Sequence, residues 1–87
     1  MTSHVTGRLS GRVAVVTGGA REIGFGIASR FAAEGAKVVL AQRSKSEGAA
    51  AQAQIRAAGG EATAISCDVT LEDSVAEMVN RVVSLYG

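Results

Sequence analysis

The chain has no proline, no tryptophan, one cysteine and one histidine among its 87 residues. A single thiol, Cys67, cannot close an internal disulfide, so the chain is read as one that folds in a reducing compartment, the cytoplasm. The lone His4 has no Cys, Asp or Glu at ligand spacing, which argues against a metal site. No run approaches the ~18 apolar residues of a membrane span, and the opening residues lack the apolar core of a secretory leader. Nine Lys and Arg stand against eight Asp and Glu, a formal net charge of +1. So even a balance creates no broad field to attract nucleic acid or a membrane surface. The lack of proline excludes nothing in an α/β chain.

What is present is apolar content of 47%, ample for a core and too high for a disordered chain. A chain of this length forms one small domain at most and buries roughly 60–65% of its unfolded surface, which leaves its stability marginal without help.

The most informative stretch is Arg12 to Gly26, RVAVVTGGAREIGFG. Val13-Ala14-Val15-Val16 is a short apolar run, β-branched apart from the alanine, and predicts a strand buried on both faces, as in a parallel sheet. It breaks at Thr17-Gly18-Gly19 into a turn of small residues. Ile23, Ile27 and Phe31 then recur every fourth residue beside Ala28 and Ala32, which predicts a helix. A strand, glycine turn and helix start present free backbone N–H groups and a helix dipole to a phosphate.

Met1 to Gly11 is polar and reads as a flexible N-terminal tail, leaving residues 12–87 as the folded part. Gly35 is placed to close the first helix. A second strand is expected over Lys37–Gln42, then a helix over Glu47–Ala58 capped by Ser46, with a thin stripe of alanines and Ile55, closed by Gly59-Gly60. A third strand spans Glu61–Cys67. Thr70 and Asp73 form a capping box for a last helix that sets Val75, Met78, Val79, Val82 and Tyr86 on one face. The alternation βαβαβα predicts a Rossmann-type α/β unit, with a parallel sheet ordered 3-2-1 and helices on both faces.

Thr17, Gly18 and Gly24 are similar in spacing to the TGxxxGxG fingerprint of the short-chain dehydrogenase/reductase family, an NAD(P)-dependent Rossmann group. Glu22 replaces the middle glycine, where a glycine lets the backbone approach the phosphates. Its carboxylate is expected to point to solvent rather than toward a diphosphate. The resemblance implies that Gly18, Gly19, Arg21, Glu22, Ile23 and Gly24 surround the cofactor phosphates. It implies that Asp68-Val69, after the third strand, holds the adenine edge. The alternative for Asp68 is a turn residue, and Cys67 beside it reads as a small buried hydrophobe.

A dinucleotide fold that selects NAD places an acid at the end of the second strand, whereas an arginine there suits a 2′-phosphate. Here Gln42 and Arg43 are followed by Ser44 and Lys45, with no acid at the tip. Basic residues at Arg21 and Arg43 accompany NADP(H) in the family resembled, so NADP(H) is expected over NAD(H), with Arg43 and Ser44 at the phosphate. The bland alternative makes both arginines solvated loop charges.

The family's catalysis rests on a Tyr-x-x-x-Lys pair with a Ser and an Asn. Tyr86 is followed only by Gly87 and reads as packing, so no catalytic residue is expected in residues 1–87, which resemble the front third of a larger enzyme truncated before a fourth strand. A P-loop hydrolase is disfavoured, because Phe25 and Gly26 stand where Lys and Ser/Thr are needed after Gly19 and Gly24. The resemblance implies an oxidoreductase parent interconverting an alcohol and a carbonyl, such as a 3-oxoacyl-thioester reductase or alcohol dehydrogenase, and a homo-oligomer. A non-catalytic dinucleotide-binding sensor or structural module is the alternative, since a fold does not dictate chemistry.

Overall fold

Three short runs rich in apolar and β-branched residues are drawn into a single parallel sheet with helices as crossovers. The computed structural model describes residues 11–18 and 22–86. Strands Val13–Thr17 (β1), Lys37–Gln42 (β2) and Glu61–Ser66 (β3) alternate with helices Glu22–Ala33 (α1), Lys45–Ala57 (α2) and Glu72–Tyr86 (α3). The order is β1-β2-β3, the 3-2-1 arrangement expected. Val13 pairs with Lys37, and Lys37 with Glu61. With Thr17 opposite Ala41 and Gln42 opposite Ser66, the three carboxyl ends lie side by side.

Side-chain alternation along the central strand builds two cores. Val38 and Leu40 meet Ala28 and Ala32 of α1 and Ala51 and Ile55 of α2 on one face. Val39 and Ala41 meet Ile65, Cys67 and Met78 on the other, flanked by Val75, Val82 and Tyr86 of α3. Helices thus cover both faces, and Cys67 is the buried hydrophobe expected. Small residues let α2 lie close, with Gly48, Ala51 and Ile55 buried along its inner stripe.

The helix ends are local chemistry. After α1, Gly35 N donates to Ala32 O and Ala36 N to Phe31 O at 3.0 and 3.1 Å. That paired closure needs the left-handed backbone of Gly35, at φ 96°, which is the closing role predicted for it. Gly59 and Gly60 close α2 with the same pair of bonds, to Arg56 O and Ile55 O.

Several expectations are corrected. β1 is not buried on both faces: Val16 is buried, but Val13 and Val15 are 40% and 43% exposed. They lie on the α3 side, where α3 packs over β2 and β3; the strand buried on both faces is β2. In α1, Ala28 and Ala32 make the inner face, while Ile23 and Ile27 are exposed, because alanines permit closer approach to the sheet. The cap of α2 is Ser44, not Ser46: Ser44 Oγ accepts from Glu47 N at 3.2 Å. Thr70 does not cap α3. Its hydroxyl donates to Asp68 Oδ1 at 2.6 Å, and α3 opens with Val75 N donating to Leu71 O at 3.1 Å. Val79 is also exposed rather than packed. The tail expected over residues 1–11 lies outside the described residues except for Gly11, a turn residue with φ 79°.

Candidate functional site

At the carboxyl ends of the strands the chain must turn three times, and these turns enclose a cavity of about 440 Å³. Gly18 contributes from the β1 turn, Ala41, Gln42 and Arg43 from the end of β2, Ser44 and Glu47 from the start of α2, and Cys67 and Val69 from beyond β3. Open parallel sheets bind ligands at this end, and the volume lies within the range of small-molecule sites.

Gly18 adopts φ 66°, and its N–H donates to Ala41 O at 2.8 Å, pinning the turn to β2. Among the described residues nothing lies within 4 Å of where a Cβ would stand, which leaves room beside the backbone there. A side-chain-bearing residue would be strained in that conformation.

Gln42 is 8% exposed and lies under α2, in the space left by the missing Cβ of Gly48. Its Nε2 stands 3.5 Å from Ser44 O, and its Oε1 is buried without a hydrogen-bond partner among the described residues. Orphaned buried acceptors are uncommon in folded proteins. Arg43 projects outward, its side chain 80% exposed. Its backbone is held in place: Ser66 Oγ donates to Arg43 O at 3.1 Å, tying the tip of β2 to that of β3.

Asp68 follows β3 and folds over its own loop. Oδ1 accepts from Thr70 Oγ1 at 2.6 Å and from Thr70 N at 3.0 Å, leaving Oδ2 3.8 Å from Arg43 Nε. The Thr70 hydroxyl first, then its backbone N–H, hold the carboxyl below its ordinary pKa; partial desolvation opposes them, and the Arg43 guanidinium adds a smaller lowering. Asp68 N is fixed by Ser74 Oγ at 2.9 Å. Arg43, Asp68, Ser66, Cys67 and Ser74 line a depression adjoining the main cavity.

The structure therefore brings Gly18, Arg43, Ser44 and Val69 to one cavity, with Asp68 beside it. It does not bring Glu22, Ile23 or Gly24 to the cavity wall. Glu22 is exposed along the groove between α1 and α2, Ile23 is 80% exposed, and Gly24 is half-buried in the first turn of α1. Gly19 and Arg21 lie outside the described residues. The residue that sequence reasoning missed is Glu47: the tip of β2 carries no acid, yet this one lines the cavity from the first turn of α2. Its signal was positional, since the first turn of a helix following a strand tip overhangs the end of the sheet.

Tyr86 stands away from this site. Its hydroxyl shares a 2.9 Å hydrogen bond with Thr63 Oγ1, and Lys37 Nζ lies 5.7 Å from its ring centroid, so the residue packs as expected. Among the described residues no cluster of His, Cys, Asp and Glu could hold a metal, and no helix is long and apolar enough to cross a membrane.

Residues 12–87 match the model of the short chain dehydrogenase family, and the chain belongs to that family. It is 44% identical over 80 residues to a 2,5-dichloro-2,5-cyclohexadiene-1,4-diol dehydrogenase, LinX, of Sphingobium indicum, covering 92% of this chain and 32% of that one. Among solved structures it is similar to a citronellol catabolism dehydrogenase of Pseudomonas aeruginosa, with a TM-score of 0.92 and 32% identity, covering 94% of this chain and 34% of the other. A metagenomic short-chain oxidoreductase in complex with NADP has a TM-score of 0.85 and 42% identity, covering 90% and 35%. The chain spans about a third of the length of the curated relatives it matches, 31% and 32% of two of them. The family is one of oxidoreductases that bind a nicotinamide dinucleotide.

Proposed function

We propose that residues 12–87 are the cofactor-binding portion of an NADP(H)-preferring oxidoreductase that interconverts an alcohol and a carbonyl. The observation that carries this reading is Arg43: an exposed guanidinium at the tip of β2, on the rim of a cavity of suitable size, where the strand end offers no carboxylate. The residues present fit the adenosine half of the cofactor. The open turn at Gly18 would run beneath the diphosphate with Gly19 and Arg21; Glu22, Ile23 and Gly24 would orient the start of α1 toward it. Arg43 and the Ser44 hydroxyl would take the ribose phosphate, and Asp68 and Val69 the adenine. When bound, the nicotinamide supplies a hydride donor or acceptor. The chain's own residues bind and orient it; none in residues 1–87 is assigned a proton transfer.

The parent protein is read as a cytoplasmic homo-oligomer, a placement that the single free, buried Cys67 supports. The test is an assay of the full-length protein with NADPH against 3-oxoacyl thioesters and simple ketones, and with NADP against secondary alcohols. Turnover of at least one is expected. Tight dinucleotide binding with turnover of none would favour the sensor reading.

A further inference from the structure

Arg43 lines the cavity from the tip of β2, Asp68 lines the adjoining depression from the loop after β3, and their side chains face each other with Nε and Oδ2 3.8 Å apart. Asp68 is not free to move away. Its Oδ1 is tied to the Thr70 hydroxyl and N–H, and its backbone N–H to Ser74 Oγ, which aims Oδ2 outward. Arg43 is held through its backbone carbonyl by Ser66, while its side chain is 80% exposed. One partner is held by several bonds and the other is exposed, so an entering anion would displace Arg43 rather than Asp68.

Resting on the cofactor reading above, we infer that Asp68 is a positioning residue that holds Arg43 in a latched state and sets how strongly the site selects a 2′-phosphorylated ribose. A phosphate entering beside Arg43 competes with Oδ2 for the same guanidinium, so part of its attraction is offset by breaking or sharing the existing ion pair. A ligand with a plain ribose hydroxyl draws Arg43 away far less and is scarcely penalised. Asp68 therefore lowers discrimination between the two ligands below what Arg43 alone would give.

The experiment measures dissociation constants of adenosine 2′,5′-bisphosphate and adenosine 5′-monophosphate, which differ by one phosphate, for the full-length protein. Asp68→Asn keeps an acceptor for Thr70 and removes the charge facing Arg43. It should increase the preference for the bisphosphate about two- to fivefold, the range an exposed ion pair commands. In an Arg43→Gln background the same substitution should leave the preference unchanged. Equal effects on both nucleotides would overturn the latch, as would a selective gain that persists without Arg43, which would be simple charge repulsion. Wild-type protein that binds neither nucleotide would instead overturn the cofactor reading, and the latch with it.

Discussion

Asp68 commits one carboxylate oxygen to its own loop and presents the other to Arg43, and its ionisation follows from that geometry. Because the pKa is lowered in the fold, ionised Asp68 favours the folded chain above the ordinary carboxylate range, and this contribution is lost as pH falls through the depressed value. Thr70→Val removes the leading cause and should return the pKa upward, toward the ordinary value. A carbon-13 NMR titration of the Asp68 carboxyl checks this; an unmoved midpoint would show that the hydroxyl does not hold the carboxylate. Glu22 poses a different question. It is exposed along the groove between α1 and α2 and does not line the main cavity. Glu22→Gly should therefore change dinucleotide affinity by less than about tenfold, or ~1.4 kcal/mol. A far tighter complex in the glycine variant, read by titration calorimetry, would mean that the carboxylate repels the diphosphate.

Gly48 stands inside α2, where a glycine ordinarily costs stability, and the reason lies across the interface in β2. A Cβ there would overlap Gln42 Nε2 and stand 3.1 Å from Ala64 Cβ. In a Gln42→Ala background, Gly48→Ala should gain up to about 0.5–1 kcal/mol from helix propensity. With Gln42 present the overlap should reverse the sign, a difference read from urea midpoints of the four full-length variants. The same sign in both backgrounds would dissociate the two residues. This pairing was not legible in the sequence, because it joins two elements through an empty volume. What was legible was local: three short apolar runs, glycines after two helices, and an alanine stripe each announced an element. Sequence could not tell which α1 face turns inward, because large Ile23 and Ile27 outrank Ala28 and Ala32 in hydrophobicity, whereas close packing on the sheet favours the small residues. Ser44 and Ser46 are both plausible caps; only backbone geometry separates them. At the site, the turn and strand tip were readable as positions, but the bonds of Asp68 and the intrusion of Glu47 depend on how loops from different strands meet.

Over the whole molecule, the described residues leave one side apolar and open. β1 has a hydrogen-bonded neighbour only in β2; Val13 and Val15 beside it, and Val79 and Val83 on α3, are exposed. Such an edge invites association. Residues 1–87 expressed alone should self-associate or be partly unfolded, and size-exclusion chromatography with thermal circular dichroism tests this; a monomer with one cooperative transition would contradict it. Cofactor choice is likewise a property of the assembled sheet end, where β1, β2, α2 and the loop after β3 converge on one cavity. A guanidinium gives a 2′-phosphate charge-assisted hydrogen bonds of about 1.5–3 kcal/mol each, trimmed by exposure at the rim. The direct measurement is the ratio of dissociation constants for NADH and NADPH in the full-length protein and in its Gln42→Asp, Arg43→Ser variant. The account predicts a preference for NADPH of around tenfold to a few hundredfold, erased or reversed in the variant. Equal affinity for both cofactors in the unaltered protein would contradict it.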